Sequence, residues 1–141
     1  MKKILREAGY AFLAWLIPFG TSVCIFPLKR THLPLFESLM AVTLVGTTVL
    51  LGCIHLRHRD CRFLATSARI GMTWMAANWL FDGLMFSGGP MKMSLAQYMN
   101  EIAGAYLIIP LITIGLGAAA ARGKFVSSYK SQRRVEASIR L

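Results

Sequence analysis

The chain has 141 residues, 55% of them hydrophobic and 16% charged, with a net charge of +10. A soluble domain carries about 25% charge, whereas here the charges gather between four long stretches that hold almost none. That arrangement speaks against a soluble bundle, whose surface helices would each show a polar face at helical spacing.

About 20 apolar residues are needed for a helix to cross a hydrocarbon core of ~30 Å. The first such stretch runs from Ala8 to Leu28, between Glu7 and Lys29, with Pro18 as a candidate kink. Its basic start (Lys2, Lys3, Arg6) is signal-like, but the apolar run is too long for an h-region. Phe26, Pro27 and Leu28 occupy the place of a small-x-small cleavage site, so a retained first anchor is expected. With short loops throughout, the expected home is a prokaryotic plasma (inner) membrane. A loop from Pro27 to Pro34 follows, bracketed by prolines that are expected to end helices.

The second stretch runs from Ser38 to Leu56, between Glu37 and Arg57, and a middle loop is expected from about Arg57 to Arg69. The third runs from Ile70 to Met91, interrupted only by Asp82, and its helix should stop at the turn signal Ser87-Gly88-Gly89-Pro90. Ser94 followed by Gln97 reads as a capping box opening the fourth helix. The fourth stretch, Ile102 to Ala121, contains Pro110 and two small-xxx-small pairs, Gly115/Ala119 and Gly117/Ala121, the spacing that lets helices approach closely.

The predicted fold is therefore an all-α integral membrane bundle of four transmembrane helices, spanning about 8–28, 38–56, 70–87 and 100–121. Residues 1–121 form this domain and 122–141 a basic tail. In the tail, Phe125, Tyr129, Val135 and Ile139 are spaced loosely like one helical face. A surface-lying amphipathic helix and a solvated, partly disordered tail are both open.

Lys and Arg sort to the cytoplasmic side of short loops. Lys2, Lys3 and Arg6 precede the first span; Arg57, Arg59, Arg62 and Arg69 lie in the second connection; Arg122, Lys124, Lys130, Arg133, Arg134 and Arg140 lie in the tail. These thirteen share one side, against Lys29, Arg30 and Lys92 on the other. Both termini are expected in the cytoplasm. This rule accounts for the basic charge, so no nucleic-acid partner is expected. The basic face should instead meet anionic lipid, where each Lys or Arg contributes about 1 kcal/mol.

Asp82 is the leading candidate site residue, because an ionisable side chain inside a membrane helix costs a few kcal/mol and so faces protein, water or a partner. Asn78 lies one turn earlier on the same face, placed to donate its amide to the carboxylate. Two roles stay open for Asp82. It can bind a proton or cation in transport, or pair structurally with Lys92, Lys29, Arg30 or headgroup water. Tyr106, Pro110 and Thr113 on the fourth helix are a candidate opposing wall, and Glu37 and Glu101 a candidate acidic outer mouth.

The run from Cys53 to Cys61, with His55 and His58, carries ligand types suited to zinc or copper but matches no zinc spacing, and its arginines repel a divalent cation. No metal site is expected. Cys24 lies toward the opposite side from Cys53 and Cys61, which leaves no pair for a disulfide outside. There is no phosphate-binding glycine loop, HExxH, nucleophile elbow or haem motif, so neither an enzyme nor a cofactor is expected.

The run GGPMKMSLAQYMNEIAGAYLIIPLITIGLG, from Gly88 to Gly117, resembles small uncharacterised prokaryotic membrane proteins of four spans. Asn78-Trp79-Leu80-Phe81-Asp82 and Ile17-Pro18-Phe19 fit the same pattern, which covers most of the chain except the tail. That family has no known activity, so the resemblance implies the architecture and carries over no functional residue. The expected function is a small homo-oligomeric ion or proton-linked transport protein; the alternative is a non-transporting accessory or scaffold protein that binds a larger partner.

Overall fold

The computed structural model describes the backbone of residues 2–57, 62–87 and 94–139, and the side chains of residues 5–57, 62–87 and 94–123. Among the described residues the secondary structure is entirely helical: α1 Lys2–Cys24, α2 Phe26–Thr31, α3 Leu33–Arg57, α4 Phe63–Phe86, α5 Leu95–Glu101, a 3-10 helix Ala103–Leu107, and α6 Ile108–Ile139. Two stretches, Leu33–Arg57 and Ala103–Gly123, are long and apolar enough to cross a membrane.

The helix boundaries differ from the expected ones in three places. Between the first two long helices, Pro27 and Pro34 sit in the first turns of α2 and α3 instead of ending helices. A proline there loses no hydrogen bond, since a first-turn N–H has no intrahelical partner. α4 begins at Phe63, so Arg69 belongs to the helix and not to the middle loop, and it donates to Glu7 Oε1 on α1 at 3.0 Å. Ser94 Oγ accepts from Gln97 N, one arm of a capping box, while the Gln97 side chain bonds Glu101, and it opens only the short α5. The chain then breaks at Ile102, and Glu101 falls outside the long apolar stretch. Pro110, in the first turn of α6, has no N–H to give the Tyr106 carbonyl, and the turn that carries Tyr106 is 3-10.

α1 and α6 each pack against both α3 and α4, while α3 and α4 touch each other only slightly and α1 and α6 hardly at all. The four long helices therefore stand in the cyclic order α1, α3, α6, α4. The closest seam is between α4 and α6. A Cβ on Gly71 would fall on Thr113 Oγ1 and lie 2.6 Å from Pro110 Cα; one on Gly117 would fall on Ser67 Oγ and lie 3.0 Å from the Phe63 carbonyl oxygen. Gly117 thus faces inward, while no atom lies near a Cβ built on Gly115 and Ala119 is exposed.

Several polar side chains are buried among the apolar ones, and much of the surface is apolar. The interior holds Thr47, Thr48, Ser67, Asn78, Asp82 and Thr113 beside Trp74 and Ile109. The outside of all four long helices is apolar, as at Leu16 and Ile17, Val42 and Leu50, Leu80 and Leu84, and Leu111. Several hydroxyls turn back onto their own helix: Ser38, Thr43, Thr48 and Thr73 each donate to the carbonyl four residues earlier at 2.8, 2.8, 2.7 and 2.8 Å. That bond satisfies a short polar side chain within its own helix.

α6 continues without interruption from the apolar stretch to Ile139. The described backbone of the tail, to Ile139, is therefore helical. The side chains of Phe125, Tyr129, Val135 and Ile139 lie outside the described residues, as do His58, Cys61 and Lys92.

Candidate functional site

Asp82 sits in the last two turns of α4 and is 3% exposed. Three neutral donors converge on it from three other elements of the fold. Trp15 Nε1 of α1 donates to Oδ1 at 2.8 Å; Tyr106 of the 3-10 helix donates its hydroxyl to Oδ2 at 2.6 Å; Tyr98 of α5 donates to the same oxygen at 3.3 Å. Each donor is held in turn. Trp15 stacks on Phe19, with ring centroids 4.8 Å apart, and tilts against Phe81 at 5.1 Å. Tyr98 lies beside Phe86 at 5.9 Å. Trp79 Nε1 donates to the Ala103 carbonyl at 3.3 Å, fixing the start of the 3-10 helix that carries Tyr106.

Asn78 does not support the carboxylate. Its amide donates to the Trp74 carbonyl on its own helix at 2.8 Å, the same turn-back bond that the hydroxyls make. The amide oxygen of Asn78 is buried without a partner. The expected opposing wall is divided in a similar way. Tyr106 reaches Asp82, whereas Thr113 donates to Pro110 O at 3.1 Å and packs into the space left by Gly71. Two turns of α6 thus separate a residue of the site from a residue of the helix seam.

The structural-pairing role expected for Asp82 takes a different form. Its described partners are all neutral. Lys29 instead faces Glu101 Oε2 at 3.4 Å, and Gln97 Nε2 donates to Glu101 Oε1 at 3.0 Å. The Gln97 amide, followed by the Lys29 ammonium, holds the Glu101 carboxyl below its ordinary value.

Above Asp82 a cavity of about 770 Å³ opens among α1, α2, α3, the end of α4, α5 and the start of α6. Asp82, Tyr106 and Leu44 form one part of its wall, Pro18 and Phe19 another, and Lys29, Glu37 and Glu101 also line it. Pro18 lies inside α1 here, and the hydroxyls of Thr21 and Ser22 donate to the carbonyls of Ile17 and Phe19 at 3.0 and 2.8 Å. The expected mouth residues and Asp82 thus share one cavity. No protein-family model, curated protein or solved structure matches the chain. What the site can do follows from its geometry.

Trp15 and Tyr98 carry no local sequence signal as partners of Asp82, from which they are 67 and 16 residues distant. The signal that points to them is chemical. A carboxylate buried among apolar helices needs donors, and Trp and Tyr are the side chains that bring a donor at low polar cost. Neutral donors satisfy the oxygens without cancelling the charge. A proton arriving at Oδ2 requires one phenol to give up its bond, and Tyr98, with the longer contact, is the one placed to yield.

The expectation for the remaining ligand types is simpler. Among the described residues no group of three His, Cys, Asp or Glu side chains is placed to hold a metal ion. Cys24 and Cys53 are free and exposed. His55 is buried at the far end of the bundle, edge-on to Tyr10 at 5.2 Å.

Proposed function

We propose that the chain is a multi-pass membrane protein in which α1, α3, α4 and the stretch from Ala103 along α6 are four spans, and that it carries a proton or cation by way of Asp82. The observation that carries the transport reading is a buried carboxylate with only neutral described partners, placed in the wall of a cavity that also holds Glu37 and Glu101. A charge kept in that setting is expensive, and function is the usual reason for its presence. The four-span reading is supported by the apolar exterior of all four long helices and by their lengths, 23 residues for α1 and 24 for α4. At 1.5 Å per residue each reaches about 35 Å, enough for a bilayer core.

The charge distribution favours cytoplasmic termini, with the cavity opening to the outer side of a prokaryotic inner membrane. A homo-oligomer would use an outward face such as that of Gly115 and Ala119. The decisive experiment is proton and cation flux into liposomes reconstituted with wild type and with Asp82→Asn. Flux that disappears in an assembled Asp82→Asn protein supports the reading, and equal flux in the two proteins sinks it.

One feature favours the accessory reading. α6 runs about 16 residues past Gly123 to Ile139, an arm of roughly 24 Å at 1.5 Å per residue. Wild type that assembles without any flux, and co-purifies with a stoichiometric partner only while residues 124–141 are present, would establish it instead.

A further inference from the structure

The cavity has a size, a wall and a charge, and together they select a ligand. At about 770 Å³ it lies within the ~300–1,000 Å³ of small-molecule sites and far exceeds what a bare ion needs. Hydrocarbon and aromatic groups make up most of its wall, among them Phe19, Met40, Leu44 and Phe86. Its charged groups are Asp82, Glu37, Glu101 and Lys29, and Lys29 is engaged with Glu101. Asp82 and Glu37 are left uncompensated by any described cation.

Four ligand classes can be compared against those facts. An anion meets a surplus of carboxylates. A small metal ion needs about six oxygen ligands, but the oxygens of Asp82 already accept three hydrogen bonds and the surrounding wall is hydrocarbon. A neutral apolar molecule fits the wall and leaves the acids without a purpose. A cation embedded in a hydrophobic body fits all three features: its charge is drawn to Asp82 and Glu37, its surface is covered by the apolar wall, and aromatic faces attract it further.

We infer that this cavity is a binding site for an amphipathic organic cation, such as a lipophilic amine or quaternary ammonium compound, held between the acid pair Asp82 and Glu37 and the aromatic wall. The inference rests on Asp82 as the site of the transport reading and adds the substrate class. Glu37, exposed on α3, draws the cation in, and Asp82 receives it. Because Trp15 both binds Asp82 and stacks on the lining residue Phe19, occupancy of the cavity should alter tryptophan fluorescence.

The probe is tetraphenylphosphonium, titrated into the purified full-length protein in lipid nanodiscs and followed by calorimetry and tryptophan fluorescence, with uncharged triphenylphosphine oxide as control. Expected are saturable binding to wild type, a loss of about tenfold or more in Asp82→Asn as for a buried charge contact, and abolition in Ala41→Trp, which fills the cavity. Glu37→Gln, at an exposed position that the fold does not need, should weaken binding by about twofold to threefold and reduce its salt dependence, as for a rim charge. Absence of saturable binding, equal affinity for the uncharged control, or indifference to both Glu37→Gln and Ala41→Trp overturns the inference. The two readings separate cleanly: Asp82-dependent proton flux without probe binding defeats the substrate class alone, and Asp82-dependent probe binding without any flux defeats transport alone.

Discussion

Along the α4–α6 pair, the half around Gly71 and Gly117 and the half around Asp82 solve the same problem in opposite ways. In the first, glycines remove side chains so that the backbones meet, and small hydroxyls of Ser67 and Thr113 fill what remains. In the second, α1, the 3-10 segment and α5 each supply a donor, and the three hydrogen bonds converge on one carboxylate. Close packing needs no buried charge, and a buried charge needs room for its donors. A bundle that is rigid at one end and open at the other has its cavity fixed by a seam it does not share.

The largest stability effects should therefore lie in the seam. Gly71→Ala puts a methyl group 2.6 Å from the Pro110 Cα, a backbone atom that cannot swing aside, and Gly117→Ala crowds Ser67 and the Phe63 carbonyl. Each should cost about 3 kcal/mol or more, the upper end of overpacking costs, read as a lower unfolding midpoint in detergent. Gly52→Ala meets only the terminal Cδ1 of Leu116 at 2.9 Å, so it should cost under about 1 kcal/mol. Gly46→Ala, with nothing within 4 Å, should be neutral or mildly stabilising through helix propensity. Equal losses at Gly71 and Gly46 would mean that close backbone contact is not what the seam glycines provide.

Next come the donors of the open half. Removing the Tyr106 hydroxyl takes a 2.6 Å bond from a buried carboxylate, and Tyr106→Phe should cost about 1.5–3 kcal/mol, the range for bonds to charged groups. Tyr98→Phe removes a 3.3 Å bond and should cost under about 1 kcal/mol. The order of the two midpoints is the test. Should Tyr98→Phe prove the more damaging, Tyr98 is not the phenol that yields when a proton arrives.

The legibility of these features in the sequence follows their range. The four long helices are visible as charge-free runs, because the hydrophobic pattern is local. Their ends are less so. Pro27 and Pro34 are compatible with starting or stopping a helix, and only the packing of α2 on α3 decides. Asp82 stands out because it interrupts an apolar run, and its grouping with Glu37 and Glu101 around one cavity matches their shared end of the chain's helices. Asn78 misleads because helical spacing shows that two side chains share a face, not that they bond. Its amide is satisfied more cheaply by the Trp74 carbonyl. Trp15 is invisible as a partner, since its bond joins helices 67 residues apart.

The smallest effect belongs to the rim, and its size is what distinguishes rim from floor. Glu101 is held by Gln97 and Lys29 in the open, with its side chain 42% exposed. Its folded-state value lies below the ordinary one, so its bonds add their full stability only where the carboxylate is ionised in both folded and unfolded chains. That contribution is present above the ordinary carboxylate range and is lost as pH falls through the depressed value. Glu101→Gln should thus lower the unfolding midpoint slightly at about pH 7, less than Tyr98→Phe does, with the gap closing on acidification and in high salt. A gap that persists at acid pH, or that rivals Tyr106→Phe, would mean that the rim pair bears on the Asp82 cluster and that the mouth and floor of the cavity act as one unit.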